Sequence, residues 1–154
     1  MNVENLVTTL DTSIRLKSLG LTSDTLFSYY KNEDEILTID FTDLKDLNYL
    51  CPAYTSEELI RVLPDILDFE NEKFGIIESK SHKFITDTED TSPFITIQSI
   101  KFGELYITRY VYKERCVDYK TSDNSLLIYD NSESESRAKL IIKLYEYDLI
   151  NNEK

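Results

Sequence analysis

The chain has 154 residues, of which 41% are hydrophobic and 30% charged, and its formal net charge at pH 7 is -12. This composition is typical of a globular domain rather than a disordered chain, and the negative charge disfavours direct binding to nucleic acid or to anionic lipid. Three glycines in the whole chain leave no room for a glycine-rich phosphate-binding loop, and no apolar run is long enough to cross a membrane.

The N-terminal residues predict a first helix over 3–19. Its apolar side chains recur at helical spacing and would form one buried stripe; they are Val3, Leu6, Val7, Leu10 and Ile14. Gly20 stands where a left-handed C-terminal cap residue is expected.

Two aromatic and β-branched runs follow, at residues 26–30 and 36–41, with a polar connection between them. Runs of this kind are typical of neighbouring strands or of a β-hairpin. Residues 42–54 predict a loop or a short helical turn that ends at Cys51-Pro52.

A second helix is predicted from Thr55, because Thr55 and Glu58 have the spacing of a capping box. Pro64 lacks a backbone donor and interrupts the apolar pattern. We therefore expect the helix to end near Leu63, with a short continuation through residues 65–67.

Residues 74–130 predict a sheet. The candidate strands are 74–78, 82–86, 94–101, 105–112 and 126–129. The third and fourth alternate with period two around a tight turn at residues 102–104, which is typical of a hairpin. On the fourth strand, Tyr106, Tyr110 and Tyr112 would share one face.

A third helix is predicted over residues 132–149, since Ser132 and Glu135 repeat the capping-box spacing. Its expected apolar stripe is Ala138, Ile141, Ile142, Tyr145 and Leu149. Together these elements predict an α+β fold in one domain over residues 1–150, with a frayed tail at 151–154. We expect one antiparallel sheet of about five strands, with the N-terminal, middle and C-terminal helices on one face.

Three segments in the same order resemble a family of small uncharacterised proteins encoded by bacteriophages and prophages. They are residues 11–21 (DTSIRLKSLGL) with 27–30 (FSYY), residues 52–59 (PAYTSEEL) leading to Leu63-Pro64, and residues 136–144 (SRAKLIIKL). The shared positions are helix caps and core residues. The resemblance implies an origin in a mobile element and transfers no catalytic residue.

The reactive side chains are few. His82 is the only histidine, so one chain cannot supply two histidine ligands to a metal, and we expect its imidazole at the surface. Cys51 and Cys116 follow no secretory signal and are expected to be buried, reduced thiols in a cytoplasmic protein. Their flanking residues match no nucleophile signature. The sequence thus predicts no catalytic residue, no metal site and no cofactor.

Acidic residues crowd two regions of the chain. The first set is the candidate partner-binding set: Glu33, Asp34, Glu35, Asp40, Asp43 and Asp46. The second set is Asp65, Asp68, Glu70 and Glu72. Both sets are explained by solvated surface charge, and both are also compatible with a negative surface that imitates nucleic acid phosphates.

The sequence therefore favours a non-enzymatic accessory protein of a phage or prophage that binds a host protein, with a basic nucleic-acid-binding protein as the expected partner. An inhibitor of a defence system such as a CRISPR nuclease is one form of this hypothesis. Two alternatives stay open: a small-ligand binder or carboxylate-based enzyme with a polar cleft, and a self-associating structural component. The oligomeric state is not predicted.

Overall fold

The computed structural model of the chain describes residues 3–21, 24–31, 37–42, 48–64, 66–67, 74–76, 95–112, 115–119 and 126–150. Its helices are α1 (Leu10–Ser18), α2 (Ser56–Val62) and α3 (Glu133–Glu146), preceded by a 3-10 turn at Val3–Asn5. Its strands are β1 (Phe27–Lys31), β2 (Leu37–Phe41), β3 (Asn48–Ala53), β4 (Ile66–Leu67), β5 (Phe74–Ile76), β6 (Ile95–Phe102), β7 (Leu105–Tyr112), β8 (Arg115–Tyr119) and β9 (Leu127–Asp130). The predicted α+β class is confirmed.

The strands are divided between two antiparallel sheets, so the prediction of one sheet of about five strands was wrong. In the described residues, the small sheet has the order β2-β1-β3 and the large sheet the order β4-β6-β7-β8-β5, with β9 also paired to β7. The helices are divided as well, because α1 lies against β3 while α3 lies against β7 and β9, and α2 packs on α3. They do not share one face of one sheet.

The small sheet exists because residues 48–53, predicted as part of a loop, form the strand β3. This strand gives β1 a second partner, with Ala53 opposite Phe27 and Cys51 opposite Tyr29. Pro52 has no backbone donor, and proline is tolerated in a sheet at an edge, which is the place of β3 in this sheet. The register then shifts by one residue between Tyr29 and Tyr30, as in a β-bulge.

Helix α1 begins seven residues later than predicted, because the hydroxyls at its start favour a cap over another helical turn. The Thr9 side chain accepts from the backbone N–H of Thr12 at 3.4 Å and caps the helix. Residue Val7 is extended and forms an isolated bridge with Thr55. Helix α1 is oriented so that Leu16 is fully buried and Ile14 is 50% exposed. The predicted apolar stripe, which contained Ile14 and not Leu16, was therefore wrong.

The predicted cap at Gly20 is confirmed as a Schellman motif. Gly20 has a φ of 84°, and its N–H donates to the carbonyl of Lys17 at 3.0 Å. The N–H of Leu21 donates to the carbonyl of Leu16 at 3.1 Å. Leu16 and Leu21 are both buried in the larger core cluster.

Helix α2 has the predicted capping box. The Thr55 hydroxyl accepts from the N–H of Glu58 at 3.3 Å, and the Glu58 carboxylate accepts from the N–H of Thr55 at 2.7 Å. The helix ends before Leu63, as Pro64 required. The following Ile66–Leu67 pairs with β6 as a short strand and does not continue the helix.

Helix α3 has only half of its predicted capping box. The Ser132 hydroxyl accepts from the N–H of Glu135 at 3.4 Å. The carboxylate of Glu135 turns away from Ser132 and accepts from the N–H of Thr9 at 2.6 Å and from the hydroxyl of Thr12 at 2.8 Å. The expected contact between the Glu135 carboxylate and the N–H of Ser132 is thus replaced by contacts that join the starts of α1 and α3.

The buried face of α3 is also wider than predicted. Ala138 and Ile141 are fully buried as expected, whereas Ile142 and Tyr145 are half-buried. The helix ends at Glu146, so Leu149, also half-buried, lies beyond it. Leu140 and Leu144, absent from the predicted stripe, are fully buried, since the helix packs against the large sheet, α1 and α2 together.

In the large sheet the hairpin of β6 and β7 is confirmed, with Phe102 opposite Leu105. The sequence missed β8. The candidate strand at 82–86, residue His82 and the tail at 151–154 lie outside the described residues.

Tyr110 of β7 is fully buried, and its hydroxyl donates to the carbonyl of Pro64 at 2.7 Å. The neighbouring residues Ile107, Thr108 and Arg109 are buried too. The central strand β7 is therefore covered on both faces.

Gly103 provides a test of the hairpin turn. Its φ is 62°, and nothing lies within 4 Å of an added Cβ, so a substitution there changes only the backbone preference. We expect Gly103→Ala to lower the free energy of unfolding by about 1 kcal/mol, because left-handed backbone is costly for alanine. Gly103→Asn is the matched control and should cost clearly less, since asparagine tolerates this conformation. Urea unfolding measures both, and equal losses would contradict the explanation.

Candidate functional site

The six acidic residues predicted to bind a partner are not assembled by the described structure. Only Asp40 lies within it, half-buried on β2. The other five, Glu33, Asp34, Glu35, Asp43 and Asp46, lie outside the described residues, as do Asp65, Asp68, Glu70 and Glu72. The structure does describe β2, the strand that lies in the sequence between the acidic residues at 33–35 and those at 43 and 46.

One face of β2 is entirely apolar. Leu37, Ile39 and Phe41 alternate with Thr38 and Asp40, and alternate residues of a strand point to the same face. Phe41 lies opposite Phe27 of β1, and the two rings pack with their centroids 5.3 Å apart. We call the side chains of Phe27, Leu37, Ile39 and Phe41 the β2 apolar face.

The β2 apolar face is the more exposed half of a larger apolar surface. On the other half, Tyr29, Cys51 and Ala53 are buried under Val7 and the start of α1. On β2 the exposed fraction rises to 43% for Leu37 and 56% for Phe41. The apolar packing thus extends to half-buried Ile39 in the middle of β2, whereas Leu37 and Phe41 at the two ends of the strand are exposed to solvent.

The backbone at one end of β2 is already satisfied. The N–H of Thr42 donates to the carbonyl of Leu26 at 3.1 Å, and backbone groups of successive residues point to opposite edges, so those of Phe41 point away from β1. The N–H of Phe41 donates to the Asp40 carboxylate at 2.8 Å. The Tyr30 hydroxyl is shared between two carbonyls, that of Thr42 at 2.8 Å and that of Phe41 at 3.1 Å. Asp40 thus protects this edge of the sheet.

A second surface feature is a polar cleft of about 420 Å³ at the starts of α1, α2 and α3. Three acidic residues line it, Glu4, Glu133 and Glu135, together with Tyr106. A cleft with converging polar groups is the geometry that a small-ligand site requires.

Two of these carboxylates are engaged by the fold itself. Glu133 contacts the Arg137 guanidinium at 2.6 Å. Glu135 is 6% exposed and holds Thr9 and Thr12 of the α1 start, with the Lys139 ammonium 3.7 Å from its carboxylate. Glu135 therefore stabilises the junction of α1 and α3, and Glu133 is paired within α3.

The thiol and the buried tyrosines are not placed for catalysis. Cys51 is 1% exposed, and burial raises the pKa of its thiol above the ordinary value, which disfavours the reactive thiolate. Burial likewise raises the pKa of Tyr29 to about 12, and the Tyr29 hydroxyl donates to the carbonyl of Thr8 at 2.7 Å. The side chain of Cys116 lies outside the described residues.

Within the described residues, no group of three or more His, Cys, Asp or Glu side chains is arranged to hold a metal ion. None of the helices in this part of the chain is long and apolar enough to cross a membrane.

Comparisons of the chain with protein-family models, with curated proteins and with solved structures found no match. The resemblance to phage and prophage proteins stays a prediction.

Sequence reasoning found the strand 36–41 but not its exposed face. The period-two alternation of Leu37, Ile39 and Phe41 was visible in the sequence. Because the same alternation describes a strand with one face in the core, exposure could be recognised only once the position of α1 was known.

The structural role of Glu135 is testable. We expect Glu135→Ala to lower the free energy of unfolding by about 2 kcal/mol, because hydrogen bonds to a charged group contribute roughly 1.5 to 3 kcal/mol. Glu133→Ala is the matched control from the same turn and should cost less than about 1 kcal/mol, since the Glu133 side chain is 37% exposed and its ion pair with Arg137 is an (i, i+4) contact. Chemical denaturation measures both, and a smaller loss for Glu135→Ala than for its control would contradict the assignment.

The raised pKa of Tyr29 predicts a loss of stability at high pH. In the unfolded chain a tyrosine ionises near its model value of 10.0, whereas folded Tyr29 stays neutral up to about 12. The contribution of neutral Tyr29 to the free energy of unfolding is therefore fully present below pH 10. It is lost as the pH rises towards 12, by at most about 1.4 kcal/mol per pH unit. Tyr29→Phe should show a shallower loss over that window in urea titrations at several pH values. Identical slopes for the two proteins would refute the assignment.

Proposed function

We propose that this protein acts without catalysis, by binding a protein partner with a basic surface on the β2 apolar face. The observation that carries the proposal is the exposure of Leu37 and Phe41 on an edge strand that continues a buried apolar surface.

Burial of the exposed apolar side chains would stabilise a complex. Covering a Phe or Leu side chain contributes roughly 1.5 to 3 kcal/mol when it passes from full exposure to full burial, and aromatic side chains are enriched at the centres of protein interfaces. Phe41, packed against Phe27, is held in place before a partner arrives. Its ordering therefore costs less on binding.

The negative charge of the chain favours a partner of positive charge. Glu33-Asp34-Glu35 precedes β2 in the sequence, Asp43 and Asp46 follow it, and the whole chain carries -12. Opposite charge accelerates association and selects among partners. A basic protein surface is the complement, whereas nucleic acid is repelled.

The alternatives have less support. A carboxylate-based enzyme or small-ligand site would use the polar cleft, but Glu133 and Glu135 there already bind other residues of the fold. Self-association through the β2 apolar face would bring together two chains of charge -12, and like charges oppose it.

The resemblance to phage and prophage proteins identifies a class of partner for this proposal. The partner is then a host protein, and a basic nucleic-acid-binding protein of a defence system has the required charge. A surface with basic residues for nucleic acid is the natural complement of an acidic inhibitor.

The experiment compares the wild type with Phe41→Ser and with Phe102→Ser. Phe102 is a matched control, because it is also a largely exposed phenylalanine (63% exposed) but lies on the large sheet. Proteins captured from a bacterial lysate are identified by mass spectrometry, and the affinity of the purified partner is measured by calorimetry. We expect Phe41→Ser to weaken binding by about tenfold or more and Phe102→Ser to leave it unchanged.

A rise from about 0.1 M to about 1 M salt should weaken the wild-type complex, since it shortens the Debye length from roughly 10 to 3 Å. Binding that is insensitive to both Phe41→Ser and salt would refute the proposal. Light scattering at micromolar concentration tests the self-associating alternative, which predicts an oligomer that Phe41→Ser dissociates.

A further inference from the structure

We infer that the outer edge of β6 pairs antiparallel with the same edge of a second copy of this chain, so that two large sheets join across a two-fold axis. This contact is separate from the β2 apolar face and does not depend on the proposed function.

The hydrogen bonds of β7 decide which residues of β6 point outward. The N–H of Tyr110 donates to the carbonyl of Leu126 at 3.1 Å, on the side of β9. The backbone groups of Tyr110 therefore point away from β6, and those of Ile97, which lies opposite, point away from β7. Because this direction alternates along a strand, the N–H and C=O groups of Ser99 and Lys101 also point to the outer edge of β6.

This outer edge is open beyond the first residues of the strand. Among the described residues, β4 covers the edge only at Ile95 and Thr96, and none bonds the outward backbone groups of Ser99 or Lys101. Both Ser99 and Lys101 are exposed. A strand edge with free N–H and C=O groups is a template for pairing with another strand.

The charge of this edge suits a second copy of the chain better than a basic partner. Strand β6 contains no Asp or Glu, although the whole chain has 29 of them and a net charge of -12. Two copies repel each other least where acidic side chains are absent. A basic protein, by contrast, is attracted to acidic residues, whereas the one charged side chain of β6 is that of Lys101.

One register fits the open part of the edge. Ser99 pairs with Lys101 of the second copy, and Lys101 pairs with Ser99 of the second copy, so that each pair exchanges both backbone hydrogen bonds. The two Ile100 side chains then lie opposite each other on the axis. A register with Ser99 opposite Ser99 would bring Lys101 of the second copy against Ile97, next to β4.

The same register covers exposed apolar side chains. Ser99 faces α3, since its hydroxyl lies 3.4 Å from the Arg137 guanidinium, so Ile100 and Phe102 lie on the opposite face of the sheet. Ile100 is half-buried, and Phe102 is 63% exposed. In the dimer, Phe102 lies diagonally across from Ile100 of the second copy, which is within reach of an aromatic side chain.

The size of the contact predicts a transient dimer. About five residues of each chain meet, whereas a stable interface has roughly 20 to 30 residues a side. The two net charges of -12 also oppose association. Because both copies use the same edge, the assembly closes as a dimer and does not grow into a fibre.

The test compares Ser99→Pro with Ser99→Ala by sedimentation velocity, at protein concentrations from roughly 10 µM to 1 mM. Both variants lose the hydroxyl, but only proline also removes the outward N–H, and proline is tolerated at a strand edge whose N–H faces solvent. We expect Ser99→Ala to dimerise like the wild type. Ser99→Pro should raise the dissociation constant of the dimer at least about tenfold.

Ile100→Glu is a second variant, and Ile100→Thr is its control. Two carboxylates opposite each other on the axis repel, so Ile100→Glu should weaken the dimer at least about tenfold. Ile100→Thr keeps a β-branched side chain and should weaken it less. Thermal unfolding identifies any variant that folds poorly, and the other position then carries the test.

Salt distinguishes this dimer from the complex with a basic partner. A rise from about 0.1 M to about 1 M salt screens the repulsion between two acidic chains, so it should tighten the wild-type dimer, whereas it should weaken the partner complex.

A wild type that stays monomeric up to about 1 mM, or a dimer that Ser99→Pro leaves intact, would overturn the inference. The proposed function is tested separately by the sensitivity of the captured partner to Phe41→Ser. Either proposal can therefore fail while the other stands.

Discussion

The pairing of β1 on both of its edges is the constraint on which the rest of the small sheet depends. β2 bonds one edge and β3 the other, and α1 packs mainly against the β3 side. The sheet is therefore covered unevenly, with Cys51 and Ala53 fully buried on β3 and Phe41 more than half exposed on β2. The candidate binding surface is a direct consequence of that asymmetry.

A set of polar contacts fixes where α1 lies and so where the apolar cover ends. The Thr8 hydroxyl bonds the Ser13 hydroxyl at 2.7 Å, and the N–H of Thr8 donates to the carbonyl of Tyr54 at 2.9 Å. Glu135 reaches the same helix start from α3. Buried polar groups of this kind tolerate few alternative arrangements. These contacts join the start of α1 to Tyr54, directly after β3, and to α3. They hold the helix on the β3 side of the small sheet.

Local patterns predicted those parts of the fold that local physics decides. The Gly20 cap, the Thr55 capping box and the hairpin of β6 and β7 are each stabilised by contacts between residues close in the sequence, and each was confirmed. The predictions were wrong where a residue bonds to a distant part of the chain and not to a near neighbour. The Glu135 carboxylate accepts from Thr9, 126 residues away, and the N–H of Ser132 donates to Asp130 instead. Likewise, β3 is a strand because β1 lies beside it.

By itself the sequence determined the sign of the charge, the scarcity of reactive side chains, the α+β class and the alternation along β2, because each of these is a property of single residues or of near neighbours. Only the tertiary structure decided that the strands separate into two sheets, that the carboxylates of Glu133 and Glu135 are engaged in the cleft, and that Leu37 and Phe41 face solvent. Burial is a property of what packs against a residue, and the residues that cover this sheet, Val7 and Leu10, are distant from β2 in the chain. The same apolar alternation would describe a core strand had α1 lain one strand further across.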